Sequence, residues 1–409
     1  MTRTDGLARN GCLEATAVVP LLVARGLRDF GDGFAAVLLP AYLLALGLSP
    51  WQVGVISSAA LFGSSLLTLA VGILGAHHER RQLLLAAACL MAVTGIVFSI
   101  AETYAVLLAI AFAGTMNPSA GSVSVFVPLE HAVLSRAVSA AGRTALFARY
   151  SLIGALAGAV GALSAATPDL LGRGGVGQLT AIKAMFVVYA MLGVAGYLIY
   201  RRIPRRPDPE SGRAPSALGP SRKIVFKLAA LFSLDAFAGG FVVQSLLALW
   251  LFQRFDMSLA AASLFFFWSG LLSAFSFPVA AWLSGRIGLI NTMVFTHIPS
   301  SLCLILAAFA PTLWLALALL LVRAALSQMD VPTRSSYVMA VVTEAERPAA
   351  ASVTSVPRSL AAALSPALAG AMFGSAFLAG PFLLCGVLKI TYDLLLLSQF
   401  RHIKPPEEA

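Results

Sequence analysis

The stretch "RRIPRRPDPESGRAPSALGPSRK" (201–223) decides how this chain is read. It gathers Arg, Pro, Gly and Ser between two long apolar regions, a composition that reads as a flexible linker. On each side the chain breaks into six apolar runs bounded by Gly, Pro and charge. The first six fall at 20–47, 51–74, 82–101, 105–128, 145–166 and 179–200. The second six fall at 225–252, 259–283, 290–309, 312–341, 349–377 and 380–400. Each is long enough to cross a bilayer, which takes about 20 apolar residues.

Composition agrees. Of 409 residues 59% are hydrophobic and 11% charged, against about 25% charged in a soluble domain. The expectation is an all-α membrane protein of twelve transmembrane helices in two pseudo-symmetric six-helix bundles, 1–200 and 224–409, joined by a cytoplasmic linker at 201–223. With both termini in the cytoplasm, the cytoplasmic segments hold seventeen Lys and Arg and the opposite segments three, Arg173, Lys183 and Arg254. That asymmetry sets the orientation. It also accounts for the net charge of +10 without nucleic acid. The four cysteines have no paired spacing, so disulfides are not expected. The first apolar run is too long and too charged for a cleaved leader. Heavy Ala, Leu and Arg use points to a bacterial inner membrane.

The two sides repeat one another. "FGDGF" (30–34) and "FAGGF" (237–241) share Phe, Gly and Phe; Val127-Pro128 recurs as Val331-Pro332, and Arg143 as Arg347. Similar halves around a linker suit a transporter whose site lies between them.

"LLPAYLLALGLSPWQVGVISSAALFG" (38–63), with its tight turn "GLSPWQVG", resembles the first two helices of the major facilitator superfamily. That family carries G-x-L-x-D-R-x-G-R-R after span two. Here "GILGAHHERRQLL" (72–84) keeps Gly72, Leu74, Arg80 and Arg81, but has Ala76 at the acidic position, His77 at the first basic one and Glu79 at the second glycine. The later "AWLSGRIG" (281–288) is similarly degenerate, with Gly285 at the acidic position. The resemblance implies twelve helices and transport by alternating access, and puts the usual inner latch in doubt. "GALAGAVG" (154–161) resembles the glycine-rich helix of the family's exporters without its proline; close packing and export-specific bending both stand as readings. Span four lacks the arginine usual in drug exporters, which counts against a simple drug–proton antiporter.

A charge inside a span costs about 3 kcal/mol or more, so it marks a functional candidate facing the bundle interior. In "RDFGDGF" (28–34), Arg25 with Asp29 and Arg28 with Asp32 are i,i+4 pairs, so each acid has a base one turn away. Arg28 and Asp29 read as a pair at the inner rim. Asp32 is the deepest of the group and the candidate coupling acid. Asp235 lies opposite Arg28 in the repeat, with reversed sign. In span ten Arg323, Ser327, Asp330, Arg334 and Tyr337 recur at intervals of 4, 3, 4 and 3, one helical face. Span eleven adds Thr354, Arg358 and Ser365. Lys389 and Asp393, also i,i+4, read as a pair that satisfies itself. Span four has "GTMNPSAGSVSVFVPLEH" (114–131), where Asn117-Pro118 and Pro128 free backbone groups that other helices or water must satisfy.

The expected substrate and coupling residues are therefore Asp32, Asp235, Arg323, Asp330, Arg358 and Asn117. The expected cytoplasmic gate residues are Arg28, Asp29, Arg80, Arg81, Glu130, Arg136, Arg149 and Arg334. The family resemblance implies the gate role of Glu130 and Arg136, and solvated surface charge is the competing reading. His77 and His78 are adjacent with no third ligand nearby in sequence, and no P-loop, HExxH or GxSxG is present. No cofactor, metal or enzymatic activity is expected. The partners are a small-molecule substrate, protons and the lipid bilayer, for a monomer. The function expected is secondary transport of a small organic solute, anionic in its leading form, proton-coupled, with export preferred. The alternatives are an uncoupled facilitator or importer, and a non-transporting receptor or scaffold of the same fold.

Overall fold

In the computed structural model, residues 3–74, 78–119, 124–137, 140–203, 218–343 and 346–401 are described, with side chains from 18 onward outside short stretches at the loops. They form helices and turns, with no strand among the described residues. The first set is α1 (Arg3–Ala45), α2 (Pro50–Leu74), α3 (Arg80–Ile100), α4 (Tyr104–Ala113), α5 (Phe126–Ala137), α6 (Ala140–Ser164), α7 (Thr167–Gly172) and α8 (Gln178–Tyr200). After the linker come α9 (Arg222–Gly240), α10 (Gln244–Phe255), α11 (Leu259–Ile287), α12 (Leu289–Ala308) and α13 (Leu313–Ser327). The chain closes with α14 (Asp330–Ala340), α15 (Arg347–Ala362), α16 (Ser365–Gly374) and α17 (Gly380–Phe400).

Nine of the described stretches are long and apolar enough to span a membrane. The other three expected spans are built differently. α1 carries Arg25, Arg28, Asp29 and Asp32. Span four stops being helical after Ala113 and resumes at Phe126, as the Asn-Pro and Gly residues there predict. Span eleven divides into α15 and α16, with Pro366 in the first turn of α16, where a missing N–H costs nothing.

Spans seven and ten, read from sequence as unbroken, are interrupted too. α9 ends at Gly240 and α10 starts at Gln244; α13 ends at Ser327 and α14 starts at Asp330. The physical reason at the first break is contact: Gly240 lies against Ser365 and the Ala362 carbonyl, leaving no room for a side chain. The Ser365 hydroxyl also donates to the Phe237 carbonyl at 2.5 Å. At the second break the single-face stripe of span ten is re-aimed, so Arg323 and Arg334 have different surroundings.

The glycines of "GALAGAVG" pack against α1. A side chain at Gly33 would meet the Gly158 carbonyl, and one at Gly161 would meet the Phe30 carbonyl. Backbones this close are the membrane-helix use of small residues.

Because successive spans alternate in direction, loops 46–49, 101–103, 165–177, 256–258, 309–312 and 375–379 share one end of the bundle. That end is called here the far end. Polar contacts between α1–α8 and α9–α17 concentrate toward it. The Ser57 and Ser245 hydroxyls are 3.3 Å apart, and Ala367 N donates to Ser58 Oγ at 2.9 Å. Ser245 N donates to the Pro118 carbonyl at 3.1 Å. Ala260 N, at the start of α11, donates to Asp169 Oδ2 on α7 at 2.8 Å. A Cβ at Gly54 would come 2.8 Å from Gly370 Cα, so α2 and α16 touch backbone to backbone. At the near end, a separate apolar core (Val225, Phe232, Met293, Val338, Leu396, Phe400) draws only on α9–α17 and the turns beside them.

Also at the near end, Glu346 fixes the exit of the linker. Its Oε1 accepts from Gly219 N at 2.6 Å and Ser221 N at 3.3 Å, and Thr343 Oγ1 donates to its Oε2 at 2.7 Å. The Thr343 hydroxyl, then Ser221 and the backbone donors, hold this carboxyl down at about 2.

Candidate functional site

The first cluster gathers on α1, α5, α6 and α8. Arg28 is 4% exposed and Glu130 fully buried. The Arg28 guanidinium donates through both terminal nitrogens to the two Glu130 oxygens, each at 3.0 Å, the fork geometry that makes Arg–carboxylate pairs strong. Tyr200 OH donates to Glu130 Oε1 at 2.5 Å, and Tyr150 OH donates to Oε2. The guanidinium lies over the Phe126 ring, 4.6 Å from its centre. Phe126 is one turn from Glu130 on the same helix, so α5 supplies both the acid and the aromatic face. Arg25 pairs with Asp29 at 2.7 Å, as expected for i,i+4.

The second expected pair, Arg28 with Asp32, does not form. Arg28 turns to Glu130 and, at 3.6 Å, to Asp29. Asp32, 1% exposed, instead accepts from Tyr189 OH at 3.1 Å. A fully hydrogen-bonded carboxylate from another helix wins over a same-helix acid, because it accepts both guanidinium donors at once. Asp32 is thus a buried acid held by a neutral phenol.

The second cluster gathers on α9, α12, α14 and α17. Asp235 Oδ1 accepts from Lys389 Nζ at 2.6 Å, and Asp235 Oδ2 lies 3.4 Å from Arg334 Nη1. Arg334 also pairs with Asp330 one turn before it. Its guanidinium is 5.3 Å from the Phe232 ring centre, and Phe232 is on the same helix as Asp235. Lys389 and Asp393 therefore do not satisfy one another: Lys389 reaches across to α9, and Asp393 accepts from His297 Nδ1 at 3.0 Å. Rotation of α17 aims the two side chains at different helices, which their spacing alone does not reveal.

The expected candidates separate into groups. Arg28, Asp29 and Glu130 come together, as do Asp235, Asp330 and Arg334. Arg358, on α15, is exposed, with Arg334, Asp235 and Asp330 as its electrostatic neighbours. Arg323 is half-buried, with Cys385 as its electrostatic neighbour. Among the described residues no ion pair or hydrogen bond engages either guanidinium. Asn117 is buried where span four breaks, its Oδ1 accepting from Ser119 N at 2.8 Å. Arg80 donates to the Ala132 carbonyl at 3.3 Å and Arg81 to the Arg201 carbonyl at 2.8 Å, tying α3 to its neighbours. Arg149 is exposed. The side chain of Arg136 lies outside the described residues, as do Ala76 and His77 of the loop after span two.

Sequence reasoning missed His297, Tyr150, Tyr189 and Tyr200. The available signal was a lone histidine in the apolar run "NTMVFTHIPSS" (291–301) and tyrosines on spans five and six. Each is ordinary in a membrane helix until its partner is known.

Every ion pair described lies within α1–α8 or within α9–α17. The arrangement is two helix groups whose mutual polar contacts gather toward the far end, each group with a buried charged cluster. The sequence pattern of the Major Facilitator Superfamily matches residues 21–322 and 229–409, and the chain belongs to that superfamily. An uncharacterized membrane protein of Saccharomyces cerevisiae, YJR124C, is 23% identical over 410 residues, spanning 91% of this chain and 92% of the yeast protein. Among solved structures, the nucleoside transporter NupG superposes with a TM-score of 0.72 at 14% identity, over 94% of this chain and 99% of that one. A bacterial homolog of the human lysosomal transporter Spinster, inward-facing and unoccupied, gives 0.69 at 15% identity, over 94% and 95%. The human organic anion transporter MFSD10 gives 0.67 at 18% identity, over 94% and 99%. At these identities the likeness is one of fold. The protein is a multi-pass helical membrane protein with the fold of superfamily transporters.

Proposed function

We propose that the chain is a secondary transporter that moves a small organic anion by alternating access, coupled to protons, with export the preferred direction. The rocking bodies are residues 1–200 and 224–409, joined by 201–223. The observation that carries the substrate class is the pair Arg323 and Arg358. They are guanidinium groups within spans with no carboxylate partner among the described residues, whereas Arg25, Arg28, Arg334 and Lys389 are all paired. An intramembrane cation left without a counter-charge is costly, and an anionic ligand supplies one.

Coupling follows from Asp32, whose hydrogen-bond partner, Tyr189, is neutral. A buried acid without a bonded cation exchanges protons as its surroundings change between states. The lysine and arginine asymmetry of the loops supports a cytoplasmic near end and both termini there. Contacts concentrated at the far end then correspond to an inward-facing state, in a bacterial inner membrane, with a monomer sufficient for the cycle.

A thermal-shift screen of the purified protein tests the substrate class, because a ligand bound to the folded state raises stability by about 2.7 kcal/mol at a hundred times its Kd. The panel is carboxylates, phosphate monoesters and sulfonates against neutral sugars, nucleosides and amines. Stabilisation by anionic members that is lost in Arg358→Gln is expected. Stabilisation by neutral or cationic members alone contradicts the reading.

A further inference from the structure

The second cluster contains a histidine that the transport reading above does not use. His297, on α12, has a side chain 3% exposed, and both ring nitrogens face ionisable groups. Nδ1 is 3.0 and 3.1 Å from the two Asp393 oxygens. With Asp393 ionised the carboxylate only accepts, so Nδ1 then carries the hydrogen. Nε2 is 3.2 Å from Lys389 Nζ. An ammonium only donates, so Nε2 presents its lone pair there. Asp235 Oδ1 accepts from the same ammonium at 2.6 Å and stands 3.8 Å from Nε2. Lysine, imidazole and carboxylate thus close a triangle in which Lys389 supplies every donor.

We propose that His297 Nε2 is a proton-binding site, and that its protonation passes Asp235 from Lys389 to His297. A proton from water adds to the Nε2 lone pair. The ring then donates at both nitrogens, to Asp393 through Nδ1 and to Asp235 through Nε2, and the Lys389 ammonium faces a second donor where it had an acceptor. Lys389 is the most exposed corner of the triangle, its side chain 12% exposed against 6% for Asp235. Opposite it stands Gly239, where even an added Cβ would be 3.8 Å from Nζ. The freed ammonium, at the most exposed corner, becomes a further cation for an anionic solute.

The charged groups around His297 come from every helix packed on it. α17 brings Lys389, Tyr392 and Asp393, α9 brings Asp235, and α14 brings Asp330 and Arg334. α13 brings Arg323, whose carbonyl accepts from Ser300 on α12 at 3.4 Å. Arg358 on α15 neighbours Asp235, and the one cation of α11, Arg286, is exposed at its helix end. Imidazole is the one side chain that can gain a proton at a ring nitrogen while it keeps a hydrogen bond at the other. Only its consequence for anion movement rests on the transport reading; the titration stands apart from it.

The test is 15N NMR of the full-length protein labelled at its five histidines. His297→Gln assigns the signal; if that variant does not fold, a variant with His77, His78, His131 and His402 all changed to Gln leaves His297 as the sole reporter. The expected result is a His297 resonance that passes from one protonated nitrogen to two as pH is lowered across the range in which the protein stays folded. In Lys389→Gln that change moves to higher pH, because a cation has been removed from Nε2. A His297 resonance invariant over that range, or a midpoint unmoved in Lys389→Gln, overturns the inference. Absence of any proton-linked flux in the wild type overturns the transport reading instead, through a different measurement.

Discussion

Glu130 and Arg334 stand 204 positions apart, the offset at which Val127-Pro128 recurs as Val331-Pro332, and each grips the charged residue of the first span of its own half. Glu130 holds Arg28 at 3.0 Å; Arg334 holds Asp235 at 3.4 Å. The same ion pair is therefore built twice with its charges exchanged. In each copy the helix that supplies the acid also supplies an aromatic ring beneath the guanidinium, Phe126 in one and Phe232 in the other. These pairs fasten helices within a half.

If the pairs are fasteners, breaking one exposes an uncompensated buried charge. Glu130→Gln is expected to cost about 3–5 kcal/mol, read as a lowered unfolding midpoint of the purified protein. The exchange Arg28→Glu with Glu130→Arg restores a large part of that loss. Equal damage from the single and the double variant contradicts a pairwise role.

Asp32→Asn is expected to keep the fold, since the amide oxygen still accepts from Tyr189, while flux loses its dependence on a pH gradient. Tyr189→Phe leaves Asp32 without its donor and shifts that dependence without removing it. Flux measured in vesicles at two pH gradients checks both. A gradient response unchanged in Asp32→Asn removes this residue from the coupling path.

How far the site could be read before the structure depended on where each partner lay. Arg25 with Asp29 was legible because both are on one helix turn. The sign reversal between Arg28 and Asp235 was legible from the repeat. The partner of Arg28 was not, since Asp32 and Glu130 are equally plausible from sequence and only the packing of α5 on α1 chooses between them. Lys389 and Asp393 misled for the same reason: correct spacing does not fix the rotation of α17. His297 had no sequence signal beyond being a histidine in an apolar run. The all-helical membrane class was legible in the apolar runs, yet the breaks in spans seven and ten depend on contacts such as Gly240 against Ala362, which no periodicity records.

Arg358→Gln and Arg323→Gln remove charges with no ion-pair partner among the described residues, so neither is expected to lower the unfolding midpoint. Each is expected to weaken binding of an anionic ligand about tenfold or more, on the order of the 1.5–3 kcal/mol of a charge-assisted hydrogen bond. Isothermal titration with the strongest anionic member of the screen checks this. Unchanged affinity in both variants removes them from the site.

Glu346 gives a pH prediction outside the membrane. Its carboxyl is held at about 2, below the unfolded value of about 4.3, so its stabilising contribution is fully present above that unfolded value. It is lost as pH falls from there toward about 2. Glu346→Gln should therefore be less stable than wild type at neutral pH, with the difference shrinking steadily as pH drops below about 4. A difference independent of pH contradicts the ionised role.

The central claim is proton-coupled movement of an organic anion, and the most direct measurement uses vesicles containing the purified protein and a lumenal pH dye. A member of the anionic panel is added outside under an imposed pH gradient, with its own flux followed by radiolabel. The account predicts that solute flux and proton flux appear together, that both fall when the gradient is collapsed, and that proton flux vanishes in Asp32→Asn. Solute flux that continues unchanged after the gradient is collapsed would contradict it.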